Sequence, residues 1–109
     1  MGPTTEFVNA LQVSIRDGIS NTLGALVMET LLTLLKHPFQ LYAEKPAELH
    51  RELYGIFGSP AETLEKMISK ELFRKLNMHY PVANELGFET CINLARQDMA
   101  TVRKEQLQV

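Results

Sequence analysis

The sequence is poor in several features that often reveal a function. Among its 109 residues there are one cysteine and no tryptophan, and eleven basic against thirteen acidic side chains leave a formal net charge of −2. A single cysteine excludes an internal disulfide and a cysteine-rich zinc ribbon. A strongly cationic nucleic-acid module would carry a clear excess of positive charge. Six glycines and five prolines exclude collagen-like or low-complexity sequence.

A long hydrophobic run and a targeting signal are also missing. The most apolar stretch covers residues 23–35, about thirteen residues, and contains Glu29 and Thr33. It is too short to span a bilayer. The first residues, MGPTTEF, lack the cationic start and apolar run of a signal peptide. Together with the lone cysteine, this predicts a cytoplasmic protein without a membrane segment.

The residues that are abundant favour helices. Sixteen leucines stand against eleven valines and isoleucines together, and leucine is a strong helix former. No stretch alternates apolar and polar residues as a half-buried strand does. We therefore expect an all-α protein, a single helical domain over residues 1–109 built as a compact bundle of four to five helices.

Periodicity and capping signals place these helices. A first segment covers residues 4–16, and Asp17-Gly18 is a break signal, although the apolar period continues and one long helix through Gly18 is the alternative. The second segment, residues 20–37, is apolar on nearly every side and ends before Pro38. Residues 38–45 form a connector. The remaining helices are expected at 46–57, from Ser59 to about 76, and at 88–104, with a frayed tail at 105–109.

A sharp corner is predicted where the third helix meets the fourth. We expect Gly58 to adopt a positive φ, and Ser59 and Glu62 to form a capping box in which each side chain accepts from the other's backbone N–H. Pro60 suits the first helical position. The residues of this structural corner are Phe57, Gly58, Ser59, Pro60 and Glu62.

The chain offers little for catalysis or metal binding. His37, His50 and His79 show none of the i, i+3 or i, i+4 spacings that place two ligands on one helix face. Cys91 lies on an apolar seam and is expected to behave as a small hydrophobic residue. Gly55-Ile56-Phe57-Gly58 is too short for a phosphate-binding loop. We expect no enzyme activity, catalytic residue, metal or cofactor.

A basic stripe runs along the fourth helix and provides an alternative function. It consists of Lys66, Lys70, Arg74 and Lys75. Such a stripe could contact phosphates as a nucleic-acid-binding regulator would. A solvated face braced by Glu62, Glu65 and Glu71 explains it as well, and the negative net charge favours that interpretation.

Self-association is predicted from the excess of apolar surface. A core of about a hundred residues has limited capacity to cover both the second helix and the seam of the last helix, and a two-fold dimer would cover one of them. The near-heptad spacing favours the last helix as the interface, with the second helix as the main alternative. The predicted interface residues are Cys91, Ile92, Ala95, Met99 and Val102.

One stretch, LHRELYGIFGSPAETLEKMISKELFRKLNM at residues 49–78, resembles the archaeal Nitrosopumilus output domain family, fifth numbered type. The similarity rests on a Leu-x-x-Ile-Phe-Gly corner followed by a helix with Lys-Glu-Leu, an aromatic and a basic residue. It extends over about residues 20–98, and departs from the family where Ser59-Pro60 follows the glycine and where HPFQLY forms the connector. The matching residues are Leu53, Ile56, Phe57, Gly58, Ile68, Lys70, Glu71, Leu72, Phe73 and Arg74.

The resemblance implies a signalling-associated domain and supplies no catalytic residues. We therefore expect a non-enzymatic cytoplasmic signalling or regulatory domain that acts through protein contacts as a homodimer, with an unknown partner. The alternatives are the nucleic-acid-binding regulator and a protein that binds an apolar small molecule in a cleft beside the second helix.

Overall fold

The structure, a computed structural model, describes residues 4–78 and 87–107, with side chains as far as residue 97. The described residues are all-helical, which confirms the predicted class, but they form six helices where four to five were expected. None of these helices combines the length and the hydropathy required to cross a bilayer. The helices are α1 (Thr5–Leu23), α2 (Ala25–Leu34), α3 (Phe39–Glu44), α4 (Pro46–Phe57), α5 (Ala61–Lys75) and α6 (Phe88–Leu107).

The first helix continues through Gly18, so the alternative of one longer helix is the correct one. Gly18 is buried inside α1, where α1 crosses α5. A Cβ atom at this position would lie 3.2 Å from the backbone nitrogen of Ile68 and 3.3 Å from its Cα. The glycine is present because the two helix backbones approach closely here, and not because the helix ends.

The break between the first two helices lies at Gly24. This residue has φ 96° and ψ 159°, and its N–H donates to the carbonyl of Ser20 at 2.8 Å. A positive φ of this kind strongly favours glycine. The chain turns at Gly24, so α2 runs in a different direction from α1.

The connector at residues 38–45 contains the additional helix, α3. Pro38, which precedes α3, has an extended backbone conformation. Within α3, Tyr42 and Ala43 are buried in the core. Arg96 of α6 donates from Nη1 to the carbonyl oxygens of Ala43 at 2.9 Å and Glu44 at 3.2 Å. These hydrogen bonds satisfy carbonyls at the end of α3 that have no partner within the helix.

The corner after α4 has the predicted backbone but not the predicted cap. Gly58 has φ 71° and ends α4, as expected. Ser59 and Pro60 form a turn, and α5 begins at Ala61 without a side-chain cap. The N–H groups of residues 61–63 donate to the carbonyls of residues 58–60 at 3.0–3.1 Å, so no capping box is needed. The Glu62 carboxylate instead accepts from the Tyr54 hydroxyl at 2.7 Å.

The core is built from all six helices, with α1 packed on α5 and with α6 packed on both α4 and α5. This arrangement buries Cys91, Ile92 and Ala95 within the chain itself. The prediction that these three residues form a dimer interface is therefore wrong, because α4 and α5 already cover their seam. The side chains of Met99 and Val102 lie outside the described residues, and α6 continues to Leu107, past its predicted end. Asn77 has φ 56° and provides a left-handed exit from α5.

The contact at Gly18 leads to a test with a matched control. Gly18→Ala should lower the free energy of unfolding by about 1–3 kcal/mol, because the added methyl would lie 3.2–3.3 Å from backbone atoms of Ile68 and would push the two helices apart. Gly55→Ala, inside α4 with open space around its Cα, should raise it by about 0.5–1 kcal/mol through better helix propensity. Urea unfolding of both variants measures the difference. Equal effects of the two substitutions would contradict the close contact.

The two helix starts allow a second comparison. The Thr4 hydroxyl accepts from the N–H of Phe7 at 3.2 Å, whereas no side chain caps α5. Thr4→Ala should therefore lower the free energy of unfolding by about 1 kcal/mol, and Ser59→Ala, an exposed site, should stay within about 0.5 kcal/mol of wild type. A larger loss of stability than this for Ser59→Ala, measured by thermal unfolding, would support the predicted capping box.

Candidate functional site

The second helix covers the core with only a narrow stripe of its surface. Met28 and Leu31 are its only buried residues, and Leu32 and Leu35 pack partly against the core. These positions repeat at i, i+3, i+4 and i+7, which is one side of a helix. Because α2 is apolar on nearly every side, leucine and valine side chains on its opposite side are exposed to solvent.

An exposed apolar surface results, here called the α2 face. Leu26 is 76% exposed and Leu34 is 49% exposed. Monomeric proteins seldom expose apolar side chains in contiguous groups without a reason, because such groups mark interaction sites or aggregation hazards. The α2 face consists of Leu23, Leu26, Val27, Thr30, Leu34 and Ile56. Ile56, one of the residues that carry the family resemblance, lies on this surface.

Two apolar grooves lie along the α2 face. The first, of about 250 Å³, lies between α2 and the end of α4. The second, of about 550 Å³, lies between the α1–α2 junction and the start of α5, where Pro60, Thr63 and Leu64 line it. Val27 and Phe57 line both grooves. The grooves therefore adjoin one another and extend along α2 on the side of α4 and α5.

The carboxylate of Glu52 on α4 holds the carboxyl end of α2 in place. It accepts from the N–H of Lys36 at 2.8 Å and from the Tyr42 hydroxyl at 2.8 Å, and it lies 3.0 Å from Nδ1 of His37. The Tyr42 hydroxyl also accepts from the N–H of His37 at 3.1 Å. We call this group, residues 36, 37, 42 and 52, the Glu52 clip. Gly24 at one end of α2 and the Glu52 clip at the other fix its position.

The clip keeps Glu52 ionised. Burial raises the pKa of Glu52, but the hydrogen bonds from Lys36, His37 and Tyr42 outweigh it, and the pKa lies below the ordinary value of 4.5. Burial and the bond to Glu52 raise the pKa of Tyr42 to about 12. The hydroxyl therefore stays protonated and donates to the carboxylate at neutral pH. Neither Glu52 nor Tyr42 was singled out from the sequence as a polar contact, because the pairing joins positions ten residues apart on two different helices.

A second polar group joins α4 to α5. Nδ1 of His50 lies 2.5 Å from Oε2 of Glu65, and the rings of His50 and Tyr54 are 4.9 Å apart. Burial raises the pKa of Glu65, and the bond to His50 lowers it in part. Glu62 and Glu65 therefore face α4, and do not brace the basic stripe as predicted.

The basic stripe is partly neutralised by acidic neighbours. Arg74 donates to Glu71 at 2.6 Å, and Nζ of Lys75 lies 2.8 Å from Asp17 and 3.0 Å from Glu71. Lys66 and Lys70, the other two predicted residues, are exposed on the helix surface. The ion pairs divide the stripe, which weakens it as a phosphate-binding surface.

The remaining candidate residues are separated in space. His37 and His50 belong to two different polar groups, and His79 lies outside the described residues. Among the residues that the structure describes, no three His, Cys, Asp or Glu side chains come together as a metal site would require. Cys91 is buried, and burial raises the pKa of its thiol. A raised pKa disfavours the reactive thiolate.

The chain matches no family model, no curated protein and no solved structure. The resemblance to the Nitrosopumilus output domain family stays a prediction. Of the residues that carry it, Leu53, Ile68 and Leu72 are buried in the core and Gly58 forms the corner. These positions have structural roles here, whereas the exposed apolar side chains lie on the α2 face.

The Glu52 clip has a testable dependence on pH. Glu52→Gln should lower the free energy of unfolding at pH 7 by about 1–3 kcal/mol, since the carboxylate accepts several hydrogen bonds as an ion. Because the folded-state pKa is lowered, this contribution is present above the unfolded-state pKa and is lost as the pH falls through the folded-state pKa. Urea unfolding from pH 7 to pH 3 measures it.

The control for this measurement is Glu44→Gln, at an exposed position on α3. It should stay within about 0.5 kcal/mol of wild type at every pH. A difference between Glu52→Gln and wild type that grows at acid pH would contradict the assignment.

Proposed function

We propose that this chain is a non-enzymatic signalling or regulatory domain that acts in the cytoplasm through protein contacts and works as a homodimer. The observation that carries the proposal is the α2 face, which exposes five large apolar side chains beside two apolar grooves. Covering such a surface releases water from its apolar side chains, which favours association. The signalling role is what the family resemblance adds.

The proposed dimer interface is on the second helix, α2, and not on the last helix, α6. The burial of Cys91, Ile92 and Ala95 removes the first choice, and the exposure of Leu26 and Leu34 favours the alternative. The polar group at His50 and Glu65 and the Glu52 clip both use their polar atoms to join helices of the same chain. Those groups support a structural role, which leaves the apolar surface as the feature best suited to a partner.

Binding of an apolar small molecule is the second candidate function. The groove beside the α1–α2 junction has a volume of about 550 Å³, which lies within the range of about 300–1,000 Å³ that is usual for ligand sites. Against this function, the groove is open, and Leu23, which lines it, is 41% exposed. A twelve-carbon fatty acid that raises the melting temperature in a concentration-dependent manner would favour this candidate.

The nucleic-acid-binding regulator has less support. Its predicted residues include Arg74 and Lys75, which are engaged by Glu71 and Asp17. The chain also has a net charge of −2. A protein that binds duplex DNA through its backbone needs several free cationic contacts, because affinity follows the number of phosphates neutralised.

Sedimentation of charged variants tests the proposed surface. Wild type should show a dimer fraction that rises with concentration in the micromolar range, and Leu26→Glu/Leu34→Glu should stay monomeric, because two buried carboxylates would have no partner. Val13→Glu is the matched control, since Val13 is 43% exposed but lies on α1 outside the α2 face. It should behave as wild type.

All substituted positions are exposed, so circular dichroism should show the same helix content in each variant. A wild type that stays monomeric at every concentration would contradict the homodimer. Dissociation by Val13→Glu as well as by the double variant would contradict the α2 face as its interface.

A further inference from the structure

The second helix is attached to the core by few residues. Of the ten residues of α2, all of them described, Met28 and Leu31 are buried, whereas α5 buries seven of its fifteen. It packs mainly on α1, the helix that precedes it in the chain, and the two apolar grooves lie between it and the α4–α5 corner. An element with so few buried apolar side chains is expected to open more readily than the core around it.

Non-helical backbone lies at both ends of α2. Gly24 has a positive φ of 96°, and, leaving aside its neighbours in the chain, none of the described atoms lies within 4 Å of the position that a Cβ would take. Leu35 and Pro38, after the helix, are extended, with ψ of 132° and 156°. Residues at the ends of an element absorb the changes in φ and ψ when the element moves as a unit. The helix can therefore turn at both ends while α1 and α3 keep their conformation.

The Glu52 clip joins the segment after α2 to the core. The N–H of Lys36 donates to the Glu52 carboxylate at 2.8 Å, and Nδ1 of His37 lies 3.0 Å from the same carboxylate. The N–H of His37 donates to the Tyr42 hydroxyl at 3.1 Å. Tyr42 itself is fully buried and donates to Glu52 at 2.8 Å, so the core half of the clip stays together.

The clip is accessible to water from one side. The His37 side chain is 39% exposed, whereas the Glu52 side chain is 10% exposed. Water can therefore replace the contacts that cross from residues 36 and 37 to the core half. The hydroxyls of Thr30 and Thr33 donate to carbonyls of α2 itself and do not tie the helix to its neighbours. The polar attachment of α2 to the core is thus concentrated at its carboxyl end.

Resting on the proposed function for its role, we propose that α2 is a hinged flap that the Glu52 clip holds closed. With the clip closed, the chain presents the α2 face alone. When the clip opens, α2 turns at Gly24 and at residues 35–38 and withdraws Met28 and Leu31 from the core. Opening adds this second apolar side of α2 to the surface that a partner can reach. The clip therefore controls how much apolar surface the chain offers.

Thiol labelling tests the opening, because the chain supplies its own reference. Leu31→Cys places a thiol on the buried side of α2, and native Cys91 is buried in α6 of the same molecule. Each thiol reacts with iodoacetamide only when its site opens, and peptide mass spectrometry separates the two rates. The thiol introduced by Leu31→Cys should react about tenfold faster than Cys91 or more, since a local opening needs less free energy than opening of the core. Equal rates would overturn the flap.

Substitutions added to Leu31→Cys distinguish the flap from unfolding of the whole chain. Glu52→Gln should raise the labelling rate at residue 31 about tenfold, because it weakens hydrogen bonds to a charged group that the opening breaks. Gly18→Ala weakens the contact between α1 and α5, which the open flap keeps. It should therefore leave the rate at residue 31 unchanged. Tyr42→Phe, which removes only the hydroxyl, should act in the same direction as Glu52→Gln.

Glu48→Gln is the matched control, because Glu48 lies one turn before Glu52 on α4 and pairs with Arg51 of the same helix at 3.6 Å. It should leave the rate at residue 31 unchanged. An increase at residue 31 that is as large with Gly18→Ala as with Glu52→Gln would show that α2 opens only with the whole fold, and would overturn the flap. An equal increase with Glu48→Gln and Glu52→Gln would overturn the role of the clip.

Hydrogen exchange of the wild type repeats the comparison without a substitution in the core. Amides of residues 28–35 should exchange faster than those of residues 68–73 in α5, since an isolated helix of ten residues is marginally stable in water. Exchange is recorded at low and high protein concentration, because protection by a second copy rises with concentration. Equal protection of both segments at low concentration would overturn the flap and leave the proposed function standing. A wild type that sediments as a monomer would overturn the homodimer and leave the flap standing.

Discussion

The close contact between α1 and α5 at Gly18 is the constraint on which the remaining packing depends. With no side chain at Gly18, the backbone of α1 lies directly against Ile68, and the two helices form the centre of a core that α4 and α6 complete. That core has room for two residues of α2, Met28 and Leu31. The rest of the most apolar helix is left outside, where Gly24 and the Glu52 clip hold it in position. The exposed α2 face is therefore a consequence of the fold and not of a loose helix.

The polar groups of this protein serve its architecture. Glu52 joins the end of α2 to α4, Glu65 joins α4 to α5 through His50, and Arg96 joins α6 to the end of α3. Each places a charged or titratable group against a partner that is distant in sequence, where the pairing limits the cost of partial burial. In the part of the chain that the structure describes, these three side chains are engaged by partners in the same chain, whereas the α2 face exposes apolar side chains.

The sequence allowed the class and most helix boundaries to be predicted, because capping and breaking residues act locally. Pro46, Gly58 and Asn77 behave as their local preferences indicate. Gly18 does not, since its role depends on a helix fifty residues away, and local signals carry no information about that contact. The same reason explains why the sequence predicts an exposed seam on α6, where the structure has Cys91, Ile92 and Ala95 buried. An apolar seam on α6 and an apolar side of α2 look alike in sequence, and only the packing of α4 and α5 decides which of them is covered.

The central claim is that the α2 face is covered by a second copy of this chain. Methyl NMR spectra recorded over a dilution series in the micromolar range test it most directly, with Val13 as the internal reference for an exposed methyl away from the face. Concentration-dependent shifts are expected at Leu26, Val27, Leu34 and Ile56, and none at Val13 or at the buried Ile92. Spectra that do not change with concentration, or shifts centred on methyl groups outside the α2 face, would contradict it.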